Sequence, residues 1–147
     1  MAILLEYASA SVALVVVTAF ISVAQSQSLD LQEMCASQAR KTFQETESDY
    51  KNQPSLVEGT IVSNAYQSHY NTRLDRCLME LDRVKLVGSE FWTTSELIDA
   101  AERREYAFYT ERGSEVVSCV FVPRVREMTY CTSHEQFDAV VAEYMEK

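Results

Sequence analysis

Four cysteines constrain this chain more than any other feature: Cys35, Cys77, Cys119 and Cys131. An even number of cysteines behind an export signal predicts two disulfides, because thiols pair and stay paired in oxidising compartments. Four cysteines allow three pairings. We favour Cys119 with Cys131, which flank a short strand-like run and its return, and Cys35 with Cys77. Each disulfide would stabilise the fold by about 2–4 kcal/mol.

The export signal is inferred from an apolar run, Tyr7–Ala24, that carries no charged residue. A secretory signal has an apolar region of about 7–15 residues followed by small residues at the cleavage positions. Small residues stand just before Gln25, so cleavage is expected there. No Lys or Arg precedes the run, and a membrane anchor over residues 7–24 is therefore the alternative, although an anchor needs about 20 apolar residues. We predict a signal peptide or anchor over 1–24 and a single domain over 25–147.

The charge balance limits the classes of partner. The chain has 13 Lys and Arg against 22 Asp and Glu, a formal net charge of -9. Binding to nucleic acid depends on neutralising phosphates with basic side chains, so a nucleic-acid partner is not expected. An anionic membrane surface repels an acidic chain for the same reason, and membrane association is expected only if the leader is retained. The acidity favours solubility, with steering toward a basic partner as the weaker interpretation.

Two helices are predicted in the first half of the chain. In residues 29–50 apolar side chains recur every four positions, and Asp30 is a plausible cap. A loop containing Pro54 and Gly59 follows. A second helix is predicted from residue 66 to residue 84, because its apolar side chains are also three or four positions apart. These side chains are Tyr66, Tyr70, Leu74, Cys77, Leu81 and Val84. From Arg76 onward the sequence also alternates, which leaves a strand beginning there as the alternative.

A candidate contact cluster lies on this second segment: Tyr66, His69, Tyr70 and Arg73. On a helix, His69 and Arg73 would lie at the rim of the buried face, beside Tyr66. Tyrosine rings bury while their hydroxyls stay wet, and Arg and His at a rim keep their polar tips in water. Packing and rim hydrogen bonding are therefore the preferred interpretation, and a functional cluster is the alternative.

The second half of the chain predicts a hairpin and a terminal helix. Residues 95–101 suit a short helix, Tyr106 to Thr110 alternate as in a strand, and residues 116–122 are typical of a buried strand. Ser133 and Gln136 have the spacing of a capping box at the start of the last helix. The sum is an α+β fold, with helices at both ends packed on a small, mostly antiparallel, disulfide-stabilised sheet.

No signature of catalysis, metal binding or cofactor binding is found. The chain has three glycines and no G-x-S-x-G motif. His69 and His134 could act as acid and base only if the fold brought them together. A metal site at Cys131 and His134 would lack the closely spaced ligand pairs of structural zinc sites. No catalytic, metal or cofactor-binding residue is therefore predicted.

Two further features receive structural interpretations. Four carboxylates near Arg103 and Arg104 suggest a solvated, ion-paired face. They are Glu96, Asp99, Glu102 and Glu105. Trp92 is the one tryptophan, and we expect it to fill the core rather than to contact a partner.

Five segments carry a further pattern: "MCASQARKTF", "YQSHYNTRLDRCLMEL", "LIDAAERREYAFY", "VSCVFVP" and "YCTSHEQFDAVVAEYM". Together they resemble a family of small exported bacterial proteins of uncharacterised function. The resemblance covers the chain from Met34 to its end. It implies export and a bacterial source, and it implies no activity and no functional residue.

The sequence therefore predicts a periplasmic or secreted domain that binds a protein or an envelope component without catalysing a reaction. The first alternative is a small hydrolase or metal-dependent enzyme using His69 or His134. The second is a membrane-tethered extracytoplasmic accessory protein with residues 7–24 as its anchor.

Overall fold

The computed structural model describes residues 28–49, 59–124 and 127–146. The leader predicted over residues 1–24 and the loop around Pro54 lie outside the described residues. The chain divides into two compact units, Met1–Met34 and Cys35–Lys147, and the second contains the sheet.

Two helices and six strands make up the described residues. Helix α1 covers residues 28–49. The strands and the second helix follow in the order β1 (Thr60–Asn71), β2 (Arg76–Val87), β3 (Glu90–Asp99), β4 (Glu105–Arg112), β5 (Glu115–Arg124), β6 (Glu127–Tyr130) and α2 (His134–Met145). The described helices contain no segment long and apolar enough to cross a membrane.

The strands form one antiparallel sheet in sequence order, from β1 at one edge to β6 at the other. Successive side chains of a strand point to opposite faces, and each face of this sheet carries a helix. On one face Met79 packs with Ala39 of α1. On the other face Leu78 packs with Phe137 and Val141 of α2. The predicted α+β class, with helices at both ends and a mostly antiparallel sheet, is confirmed.

Both predicted disulfides are present. Cys35 is bonded to Cys77, and Cys119 is bonded to Cys131, with a Cα–Cα distance of 5.1 Å in each pair. The first joins α1 to the start of β2, and the second joins β5 to Cys131, which lies between β6 and α2. Two disulfides are typical of a protein in an oxidising, extracytoplasmic environment.

The second predicted helix is wrong: residues 60–87 form the hairpin of β1 and β2. A spacing of four residues is close to one helical turn and is also twice the strand period of two. Tyr66 and Tyr70 therefore share a sheet face, as do Cys77 and Leu81. Leu74 lies in the turn between Asn71 and Arg76, and its spacing of three residues from Cys77 suggested a helix. The alternative of a strand from Arg76 is confirmed.

The short helix predicted over residues 95–101 is also wrong, because these residues belong to β3 and the turn that follows it. Leu97 is fully buried on the α2 face and Ile98 packs on the α1 face. Strands that are covered on both faces lose the alternation that identifies a half-exposed strand. The hairpin of β4 and β5 and the terminal helix α2 are confirmed.

Candidate functional site

A cleft on the α2 face of the sheet is the candidate site. Its floor is formed by Gln67 of β1 and Glu80 of β2, which are direct cross-strand partners. Helix α2 forms the opposite wall, and the space between is about 330 Å³. The wall residues are Asp138, Val141, Ala142, Met145 and Glu146. The cleft thus combines three carboxylates with an apolar side.

Helix α2 is held over the cleft by local and tertiary interactions. Ser133 caps the helix by accepting a hydrogen bond from the backbone N–H of Gln136 at 3.3 Å. The disulfide of Cys131 fixes the chain just before this cap. At the other end, the Asn71 side-chain amide donates to the backbone carbonyl of Tyr144 at 2.8 Å. The wall of the cleft is therefore fixed at both ends.

Glu80 is the central polar group of the cleft. Its side chain projects from the α2 face of the sheet into the cleft, and the residue is only 8% exposed. The Gln67 amide donates a hydrogen bond to its carboxylate. Burial raises the pKa of Glu80, and Asp82 and Asp138 add to the rise, whereas the Gln67 hydrogen bond and His134 oppose it. An ionised Glu80 is thus held in a poorly hydrated place beside further negative charge.

This arrangement favours a cationic group. A carboxylate that loses water on burial regains favourable electrostatic energy when a positive charge approaches it. Val141, Ala142 and Met145 offer an apolar surface to the stem of such a group, as lysine and arginine stems require. Within the described ranges, no set of three or more His, Cys, Asp or Glu residues could hold a metal ion.

The predicted contact cluster is divided between the two faces of β1. Tyr66 and Tyr70 lie on the α1 face, where the Tyr66 ring packs against Phe43 at 4.6 Å between centroids. The Tyr70 hydroxyl donates to Asp75, and this hydrogen bond raises the pKa of Tyr70. His69 lies on the opposite face, and Arg73 is exposed in the turn after β1. A strand separates side chains that a helix would have brought together.

The two histidines do not converge. His134 begins α2 and stacks on Tyr109 of β4, with 4.7 Å between ring centroids. Its Nε2 atom lies 3.4 Å from Oδ1 of Asp138. His69 belongs to β1, three strand positions from β4, which corresponds to roughly 14 Å. An acid and a base acting on one proton path must be within hydrogen-bond reach of it.

The predicted ion-paired face is only partly correct. Glu102 pairs with Arg76, and Oδ2 of Asp99 is 3.5 Å from Nη1 of Arg76. Asp99 is buried rather than solvated, and it accepts hydrogen bonds from the backbone N–H groups of Ala101 and Glu102 at 2.8 and 2.9 Å. Asp99 therefore shapes the turn between β3 and β4.

Glu96 lies inside a second charged cluster, beneath α1. Oε1 of Glu96 is 3.7 Å from Nη1 of Arg83, a side chain that is 2% exposed. Burial raises the pKa of Glu96, against the effect of Arg83 and Lys85. Burial also lowers the pKa of Lys85, which Arg83 reinforces. Arg83, at the centre of the cluster, is enclosed by the fold, so we assign the cluster a structural role.

Trp92 is half-buried rather than central to the core. The Arg112 guanidinium lies 5.8 Å from the centre of its ring. Its indole Nε1 is buried and has no hydrogen-bond partner among the described residues. Trp92 is the cross-strand partner of Lys85, so its side chain lies on the α1 face, near the turn between β2 and β3.

Sequence reasoning missed Glu80 and Asp138 as a site. The available signal was a carboxylate in the middle of the apolar strand "RCLMELDRVKLV". Its partner on α2 is far away in sequence, and only the fold brings the two together. Comparison of the chain with protein-family models, curated proteins and solved structures finds no match.

Proposed function

We propose that this chain is an exported, non-catalytic binding domain whose partner inserts a cationic side chain into the cleft between α2 and the sheet. The partner is a protein or an envelope component that presents a lysine or arginine. The cleft itself carries this proposal, since it pairs the buried carboxylate of Glu80 with an apolar wall. The net charge of -9 supports it, because an acidic chain attracts a basic partner at long range.

Binding to the cleft can be tested with tetralysine as the probe, by isothermal titration calorimetry at low salt. Glu80→Gln keeps the shape of the side chain and removes its charge, so it should weaken binding at least tenfold. Glu135→Gln removes the same charge from an exposed position on α2 outside the cleft, and it should change affinity less than threefold. Equal losses in the two variants would mean that tetralysine senses only the overall charge, and the proposed site would be wrong.

Export to the periplasm or the medium is the second part of the proposal. The paired cysteines support it, since disulfides persist in oxidising compartments. The intact mass of the protein from a producing cell, after alkylation of thiols, should begin at Gln25 and carry no alkylated cysteine. A full-length mass with alkylated cysteines would contradict export. A full-length chain that stays in the membrane pellet after carbonate extraction would instead establish the anchor.

A further inference from the structure

The two edges of the sheet differ in a way that bears on association. Strand β6 has 4 residues and β1 has 12. An exposed edge strand offers unpaired backbone groups to other chains, and proteins usually block it by shortness, charge or proline. Shortness protects β6. From Thr60 to Asn71, β1 contains no Asp, Glu, Lys, Arg or Pro, although 24% of the chain is charged. Every other described strand carries at least one ionisable Asp, Glu, Lys or Arg.

The direction of the β1 backbone groups follows from one hydrogen bond on β2. The backbone carbonyl of Cys77 accepts from Ala100 N at 2.8 Å, so the polar groups of Cys77 face β3. The backbone N–H and C=O groups of successive strand residues point to alternate sides, so those of Leu78 face β1. His69 is the cross-strand partner of Leu78, and its backbone groups therefore face β2. Even-numbered residues of the regular part of β1 consequently direct their N–H and C=O groups outward, among them Asn64, Tyr66 and Ser68.

We infer that the outer edge of β1 pairs with β1 of a second copy of this chain. The two strands run antiparallel about a two-fold axis at Tyr66, so that Tyr66 faces its equivalent and Asn64 faces Ser68 of the other copy. This register pairs the outward-facing residues Asn64, Tyr66 and Ser68, and it joins the two sheets into one of twelve strands.

The uncharged edge favours a second copy over a foreign segment. Two chains of net charge -9 repel each other wherever their acidic surfaces meet. Along β1 no like charges face each other in the proposed register, and Ala65 lies opposite Gln67. An edge that selected a basic foreign strand would gain from acidic side chains, which β1 lacks.

The oligomeric state tests the inference. Sedimentation equilibrium of the chain that begins at Gln25 should give twice the monomer mass at micromolar concentration. Ser68→Pro deletes an outward N–H without touching the bonds to β2, so it should raise the dissociation constant at least tenfold. Ser68→Thr keeps that N–H and should dimerise like the parent. A monomer at all concentrations, or a Ser68→Pro dimer of unchanged affinity with an intact circular dichroism spectrum, would overturn the inference.

Cysteine crosslinking tests the register separately. All four native cysteines are paired, so an introduced cysteine is the one available thiol. In the proposed register Cα atoms of residues 65 and 67 are about 4.5 Å apart across the axis, within reach of a disulfide. A mixture of Ala65→Cys and Gln67→Cys chains should therefore crosslink, and each chain alone should crosslink much less. Efficient crosslinking of Gln67→Cys alone would overturn this register.

Discussion

Removing the disulfide of Cys35 and Cys77 should lower the free energy of unfolding by about 4 kcal/mol. The two residues are 42 positions apart, and the bond stabilises the fold mainly by reducing the entropy of the unfolded chain. The same relation gives about 3 kcal/mol for Cys119 and Cys131, which are 12 positions apart. A small domain has a total stability of about 5–15 kcal/mol. Loss of the disulfide of Cys35 and Cys77 therefore leaves a fold of marginal stability.

Urea unfolding followed by circular dichroism measures the loss in a Cys35→Ala/Cys77→Ala variant. Cys35 is 1% exposed, so the substitutions also remove packed atoms. Selective reduction of the same disulfide in the parent chain controls for that, because it leaves both sulfurs in place. The unfolded ensemble should expand when the crosslink is lost, and the urea m-value should rise. A loss below about 1 kcal/mol, or a larger loss for the shorter closure, would refute the chain-entropy reasoning.

Three further results follow from the buried polar groups and the helix cap. Arg83→Met removes the ion-pair partner of both Glu96 and Glu47, so the free energy of unfolding measured in urea should fall by about 3 kcal/mol. The double variant with Glu96→Leu should recover part of this loss, and no recovery would refute the pairing with Glu96. Burial raises the pKa of Glu80 above its usual 4.5, so the parent should lose stability as pH rises through that raised value. Glu80→Gln should flatten this part of the pH profile, and an unchanged profile would contradict the assignment. Ser133→Ala removes the acceptor for Gln136 N and should cost about 1 kcal/mol in thermal unfolding, whereas Ser133→Asp should retain the cap.

Local signals predicted the parts of the fold that local interactions determine. The cap at Ser133 and the apolar face of α2 predicted the last helix, and closeness in sequence predicted the pairing of Cys119 with Cys131. Strand β1 was missed because a spacing of four residues suits both a helix face and a strand face. Strand β3 was missed because helices cover both of its faces.

The candidate site was beyond the reach of local signals. Glu80 and Asp138 belong to elements that are distant in sequence, and the cleft exists only after α2 packs across β1 and β2. The cluster predicted around His69 assumed a helix, and the alternation of β1 separated its members. A site built from two faces of different elements leaves no fixed spacing in the sequence.

The most direct test of the account is residue-level mapping of tetralysine binding by nuclear magnetic resonance. Amide shifts in the ¹⁵N-labelled chain should move at Gln67, Glu80, Asp138 and Met145, the residues that line the cleft. Tetraglutamate at the same ionic strength should move none of them, since the carboxylates repel it. Shifts spread over the acidic surface, or centred away from α2 and β2, would contradict the central claim that this cleft receives a cationic group.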